Sequence, residues 1–146
     1  MVGIPHPMKT FIALALACLG LGLTACLGLN KIHEIQDSAV THFHDQYNND
    51  QAGAIWDEAH ARFQGASEKE AFIAYMQVVK SKLGKVTSTA NFDRRMTTAK
   101  EITTVYLIQE TRFENARAKE TFTLIMEGGH AILVSYNVQS KLLTVK

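Results

Sequence analysis

A chain of 146 residues with 47% apolar and 20% charged side chains can bury one sizeable core, which excludes an intrinsically disordered chain, and two cysteines are too few for a disulfide-built mini-protein. Lys and Arg number 15 against 14 Asp and Glu, a formal charge of +1. That leaves no broad basic field to neutralise phosphates and excludes nucleic-acid binding as the main activity.

The N-terminal stretch from Thr10 to Asn30 carries no charge and is bracketed by Lys9 and Lys31. Its apolar run Phe11-Ile12-Ala13-Leu14-Ala15-Leu16-Ala17, behind a positive start, has the layout of a secretory signal. Gly20 and Gly22 predict a loss of helical character, and the segment then reaches Leu23-Thr24-Ala25-Cys26. These four residues resemble the lipobox of bacterial lipoproteins, in which the cysteine is acylated and becomes the first residue after cleavage. The resemblance implies a signal peptide over residues 1–25, lipidation at Cys26, and a tether over residues 26–32 leading into one domain over residues 33–146. Cys18, behind Ala15-Leu16-Ala17, fits the pattern less well, and Met8-Lys9-Thr10 looks like a more usual start than Met1. Leu27 stands where an Asp would retain a lipoprotein at the inner membrane, so the implied address is the outer membrane, facing the periplasm. The competing reading is an uncleaved anchor, since about 20 apolar residues span a bilayer. Removing residues 1–25 takes only Lys9 among the charges and leaves a formally neutral domain.

The first helix of that domain is predicted from about Lys31 to Asn48, with Ile32, Ile35, Ala39, Phe43 and Tyr47 on one stripe. Asp50 is the expected N-cap of a short second helix through Ala54, Ile55 and Trp56, whose lone Trp is a core anchor. The third helix opens on the capping-box pattern Ser67-Glu68-Lys69-Glu70, continues along Phe72, Met76, Val79 and Leu83, and stops at Gly84 as a left-handed cap.

Beyond Gly84 the apolar period changes from 3.6 to two. Strands are expected over residues 86–96, 102–114, 117–127 and 130–139, with Asn115-Ala116 and Gly128-Gly129 as two-residue connections. Those connections place Leu107 opposite Leu124, Gln109 opposite Phe122 and Thr111 opposite Glu120, with Leu133, Ser135 and Asn137 beside Leu124, Phe122 and Glu120. One face then has an apolar end and a polar end of Gln109, Thr111, Glu120, Ser135 and Asn137. The other carries Tyr106, Ile108, Ile125, Ile132, Val134, Tyr136 and Val138. Helices followed by an antiparallel meander argue an α+β fold, and two apolar faces ask for helices on one side and a partner on the other.

Three helices and a four-stranded curved meander resemble the nuclear transport factor 2-like, or cystatin-like, superfamily. The run Gln51-Ala52-Gly53-Ala54-Ile55-Trp56, Phe113-Glu114-Asn115, Glu120-Thr121-Phe122-Thr123-Leu124 and Tyr136-Asn137-Val138 is similar to small bacterial lipoproteins carrying an uncharacterised domain of that kind. The resemblance implies a cone-shaped cavity between helices and sheet and a homodimer through the sheet.

His33, Asp37 and His44 share one side of the first helix, but His33 and His44 lie roughly 16 Å apart along its axis, too far for one metal ion. No metal site or cofactor motif is read from the sequence. Glu120 is the candidate general base, with a carboxylate expected to be raised in pKa beside Phe122 and Asn137. The candidate pocket is Trp56, Tyr75, Arg94, Gln109, Glu120, Phe122 and Asn137, with an inward Arg94 placed to hold a carboxylate. Two functions follow. The first is an anchored, non-catalytic domain that binds a small apolar ligand or an envelope protein; the alternative is a cavity enzyme doing proton transfer or hydrolysis through Glu120.

Overall fold

A computed structural model describes residues 20–144. Among the described residues, those up to Glu34 belong to one compact unit and those from Ile35 onward to a second. The elements in chain order are α1 (Gly20–Asn48), α2 (Ala52–Glu58), α3 (Ala61–Gln64), α4 (Lys69–Leu83), β1 (Val86–Ala99), β2 (Ile102–Phe113), β3 (Arg117–Glu127), β4 (His130–Gln139) and α5 (Lys141–Thr144). The expected α+β class holds: helices lead, and a four-stranded antiparallel sheet follows in the order β1-β2-β3-β4.

Several local expectations are corrected. Gly20 and Gly22 lie inside α1, because extending a helix over Leu- and Ala-rich sequence costs far less than starting one and absorbs isolated glycines. The proposed Ser67 box does not form. Glu68 is the N-cap of α4 without a side-chain cap bond, and the Ser67 carbonyl accepts from the Trp56 indole at 3.3 Å. Gln51, not Asp50, caps α2; Asp50 adopts φ 60° and its carboxylate meets Lys80 Nζ at 2.6 Å. The short α3 was not anticipated, and His60 caps it, its Nδ1 accepting from the Arg62 amide at 3.1 Å.

The α1 stripe differs by a small rotation from the apolar one. Gln36, Val40, Phe43, His44, Gln46 and Tyr47 are buried, while Ile35 and Ala39 are half-buried at its margin. Polar Gln36 and His44 occupy core spacing that an apolar filter passes over. Phe43 packs edge-on to Phe122 at 5.1 Å and Tyr47 to Phe113 at 5.9 Å, so α1 crosses the inner face of the sheet. Phe63 meets Phe72 at 5.1 Å, joining α3 to α4.

Gly84 carries φ 78° and ψ −161°, an extended mirror-image conformation rather than the left-handed cap expected, and one open almost only to glycine. It turns the chain from α4 into β1. The neighbouring hairpin end docks here: the Glu114 amide donates to the Lys85 carbonyl at 2.9 Å, the Asn115 amide to Leu83 at 2.9 Å, and the Lys85 amide to the Glu114 carboxylate at 2.8 Å.

At the other end of β1 the turn is Lys100-Glu101, with φ 49° and 66° at two non-glycine residues. Asn-Gly suits such a turn far better. Replacing Lys100-Glu101 by Asn-Gly is expected to raise stability by about 1 kcal/mol, read as a higher denaturant midpoint with an unchanged slope.

Candidate functional site

Two register features decide which side chains meet. Phe113 pairs with Ala116, its amide donating to that carbonyl at 2.8 Å, so the β2–β3 connection is Glu114-Asn115 rather than Asn115-Ala116. Pairing shifts by two residues: Leu107 faces Phe122, Gln109 faces Glu120 and Thr111 faces Ala118. An even shift preserves faces, and Gln109, Thr111 and Glu120 stay on the inner side.

The β3–β4 ladder begins as expected, with Glu127 facing His130 and Leu124 facing Leu133, and then a bulge between Thr123 and Leu124 changes it by one. A shift of one reverses faces. Tyr136 and Val138 turn inward beside Phe122 and Glu120, while Ser135 and Asn137 are exposed on the outer side. Asn137 therefore leaves the candidate pocket, and Tyr136 takes its place.

The resulting cluster is built on Glu120, which is 0% exposed. His44 from α1 places Nε2 at 2.8 Å from Oε2, Gln109 Nε2 donates to the same oxygen at 3.1 Å, and Thr111 Oγ1 donates to it as well. The Tyr136 hydroxyl donates to Oε1 at 2.6 Å. Phe43, Phe122 and Tyr136 surround these groups with ring centroids 4.6 to 5.1 Å apart. The donors come from one helix and two strands, α1, β2 and β4, and the acceptor from β3.

Burial pushes the Glu120 carboxyl up, but the hydrogen bond and charge of His44, with Thr111 and Tyr136 donating, outweigh it and hold the group below the ordinary carboxylate range. The expectation of a raised pKa is thus corrected: it weighed burial and could not count donors. Burial and the adjacent carboxylate push the Tyr136 phenol well above its usual value. The site is a carboxylate held ionised by a neutral phenol, a hydroxyl, an amide and an imidazole.

The remaining candidates lie elsewhere. Arg94 is on the inner side of β1, and its guanidinium is ion-paired with Asp37, so a protein carboxylate takes the role foreseen for a ligand. Trp56 packs against the core margin with Lys69 Nζ 5.7 Å from its ring. Tyr75 is 43% exposed on α4. Gln36 Oε1 is buried without a hydrogen-bond partner among the described residues, while Nε2 donates to Met96 Sδ at 3.6 Å. Cys18 lies outside the described residues; Cys26 falls within the backbone of α1, its side chain outside the described set. Among the described residues, no helix is long and apolar enough to cross a membrane, and no three His, Cys, Asp or Glu side chains are grouped to hold a metal ion.

The outer side of the sheet contrasts with this interior. Thr104, Ile125 and Ile132 form one row across three strands, and Ile108 lies between Asp93 and Thr121 in another. Tyr106 and Ile102 are each 43% exposed, and Ile108, Ile132 and Val134 are half-buried.

Residues 39–136 match the family described as Protein of unknown function (DUF4019). No curated protein matches the chain.

Proposed function

We propose that this chain, which belongs to the DUF4019 family, is an envelope lipoprotein anchored through Cys26, whose nuclear transport factor 2-like or cystatin-like domain works by binding and not by catalysis. The contact surface in this reading is the outer sheet face, and its occupant is a second copy of the chain. The observation that carries it is the outer face itself, with Tyr106 and Ile102 each 43% exposed amid half-buried isoleucines; aromatic and aliphatic groups in one patch favour association.

Charge favours a second copy as the occupant. One end of the outer face carries Arg112, Arg117 and Lys119 against Glu110 alone, and the other carries Glu127, with the Lys100-Glu101 turn at the same end. A twofold axis lying across the strands sets each basic end over the partner's acidic end, a self-complementary arrangement. Against the cavity-enzyme alternative stands Glu120, with no exposed surface and a depressed pKa, a poor proton acceptor near neutrality.

Sedimentation of the full chain in detergent is expected to give a dimer that Tyr106→Asp converts to a monomer of unchanged circular dichroism. A monomeric parent, or a dimeric variant, contradicts the face assignment. Cys26→Ala is expected to abolish acyl-dependent processing and outer-membrane recovery; unchanged processing and fractionation would remove the anchor from the reading.

A further inference from the structure

At the basic end of the sheet, a cavity of about 380 Å³ lies against Ile108, Glu110, Arg117, Lys119, Gln139, Ser140 and Lys141. This is within the usual range for small-molecule sites. Its walls come from three neighbouring strands: Glu110 pairs with Lys119, and Lys119 pairs with Gln139. Ile108 gives it an apolar side.

The charges there are unbalanced. Glu110 Oε1 is engaged by Arg117 Nη1 at 2.9 Å, which spends the one lining carboxylate on the one lining guanidinium. Lys119 and Lys141 have no ion-pair partner among the described residues. Arg112 stands directly opposite Arg117 in the β2–β3 register, a like-charge cross-strand pair that the Glu110 carboxylate on Arg117 offsets in part. A chain whose overall charge is only +1 thus concentrates cations beside one concavity.

We infer that this cavity is a binding site for an organic phosphate, a phosphomonoester with a compact apolar body. Two compact ammonium groups match the double charge of a phosphomonoester. The Gln139 amide adds an uncharged donor at the rim and Ile108 receives the apolar body, while the Ser140 hydroxyl donates to the Arg117 carbonyl at 3.2 Å. The site goes beyond the proposed function, since it requires neither an anchor nor a second copy, and it shares Ile108, Arg117 and Lys119 with the outer face, so a bound phosphate and a second copy compete for that end.

The test is a titration of the full chain in neutral detergent with phenyl phosphate, dihexanoyl phosphatidic acid and benzyl alcohol, followed by calorimetry and thermal melting. Both phosphates are expected to bind saturably and raise the melting temperature, benzyl alcohol is not, and Lys119→Ala/Lys141→Ala is expected to weaken phosphate binding about tenfold or more. Tighter binding of phosphatidic acid assigns the phosphate to a lipid headgroup, and tighter binding of phenyl phosphate to a soluble metabolite class; either supports the shared chemistry. Absence of saturable binding by both, or equal binding by the folded double variant, overturns the inference. Because the cavity shares Ile108, Arg117 and Lys119 with the face proposed to dimerise, the titration is run on Tyr106→Asp as well as on the parent: binding by the variant alone means that the second copy covers the site, and binding by neither overturns the inference whatever sedimentation shows.

Discussion

Glu120→Gln is expected to lower the unfolding free energy by about 3 kcal/mol at neutral pH, placing it among the most damaging isosteric changes in the domain. The carboxylate accepts from His44, Gln109, Thr111 and Tyr136 with no exposed surface. An amide in its place offers one acceptor oxygen and turns an NH2 toward groups that are already donating, so buried donors lose their partner. Denaturant midpoints at pH 7 measure the loss. A midpoint within experimental scatter of the parent would mean that the cluster contributes no net stability. The companion double variant His44→Leu/Glu120→Leu is expected to cost less than the two single changes added together, because it removes the charge and its partner at once.

The same group sets an acid limit. Its folded pKa lies below the ordinary value of 4.5, so between the two values the unfolded chain holds the extra proton and stability rises with pH. The contribution is complete above about pH 4.5 and is lost as pH falls through the folded pKa. Unfolding curves of parent and Glu120→Gln should therefore converge in acid; parallel curves down to the acid transition would contradict the depressed pKa.

Gly84→Ala is expected to cost about 3 kcal/mol, from two separable sources. At φ 78° and ψ −161° an L-residue is strained by about 1–3 kcal/mol. A Cβ there would also lie 2.8 Å from Glu114 Cβ and closer still to its carboxylate, the group that accepts the Lys85 amide. Movement of that hairpin end is opposed by the Asn115 bond to Leu83 and by the Tyr47 hydroxyl, which donates to the Gly84 carbonyl at 2.8 Å. Relieving the contact with Gly84→Ala/Glu114→Gly, which removes both the carboxylate and the Cβ at position 114, should leave the backbone strain in place, so that double variant stays well below Glu114→Gly alone. Equal stability of those two would show that the conformation at position 84 is unstrained for alanine.

Much of the fold was legible in the sequence because period and turn chemistry are local. The bounds of β3 and β4 follow from alternating Thr, Val, Ile and Phe with Gly128-Gly129 between them, and the glycine that ends α4 is visible as punctuation. What was not legible depends on pairing between distant segments. Asn115-Ala116 reads as a two-residue loop until the end of α4 captures the Glu114 and Asn115 amides and fixes the connection one residue earlier, which shifts the pairing by two. The bulge at Thr123/Leu124 leaves no trace in the alternation, yet it exchanges Asn137 for Tyr136 beside Glu120. His44 was visible at core spacing, three residues before Tyr47 and four after Val40; weighing it only against His33 on its own helix concealed a partner 76 residues away. The polar inner end was identified through Gln109, Thr111 and Glu120, but its pKa direction needed the donor count that only the assembled cluster provides.

In the proposed reading the buried carboxylate holds the domain together and the outer face meets a second copy. Tyr106 and Tyr75 provide a built-in comparison, since each is 43% exposed, one on the outer sheet face and the other on α4. Hydroxyl-radical footprinting of the full chain in its native envelope, against the monomeric Tyr106→Asp variant for every other residue, reads which surface is covered. The expected result is strong protection of Tyr106 and Ile102 with Tyr75 labelled freely. Tyr106 labelled as fully as Tyr75 would contradict the assignment of the outer sheet face as the surface through which this protein acts.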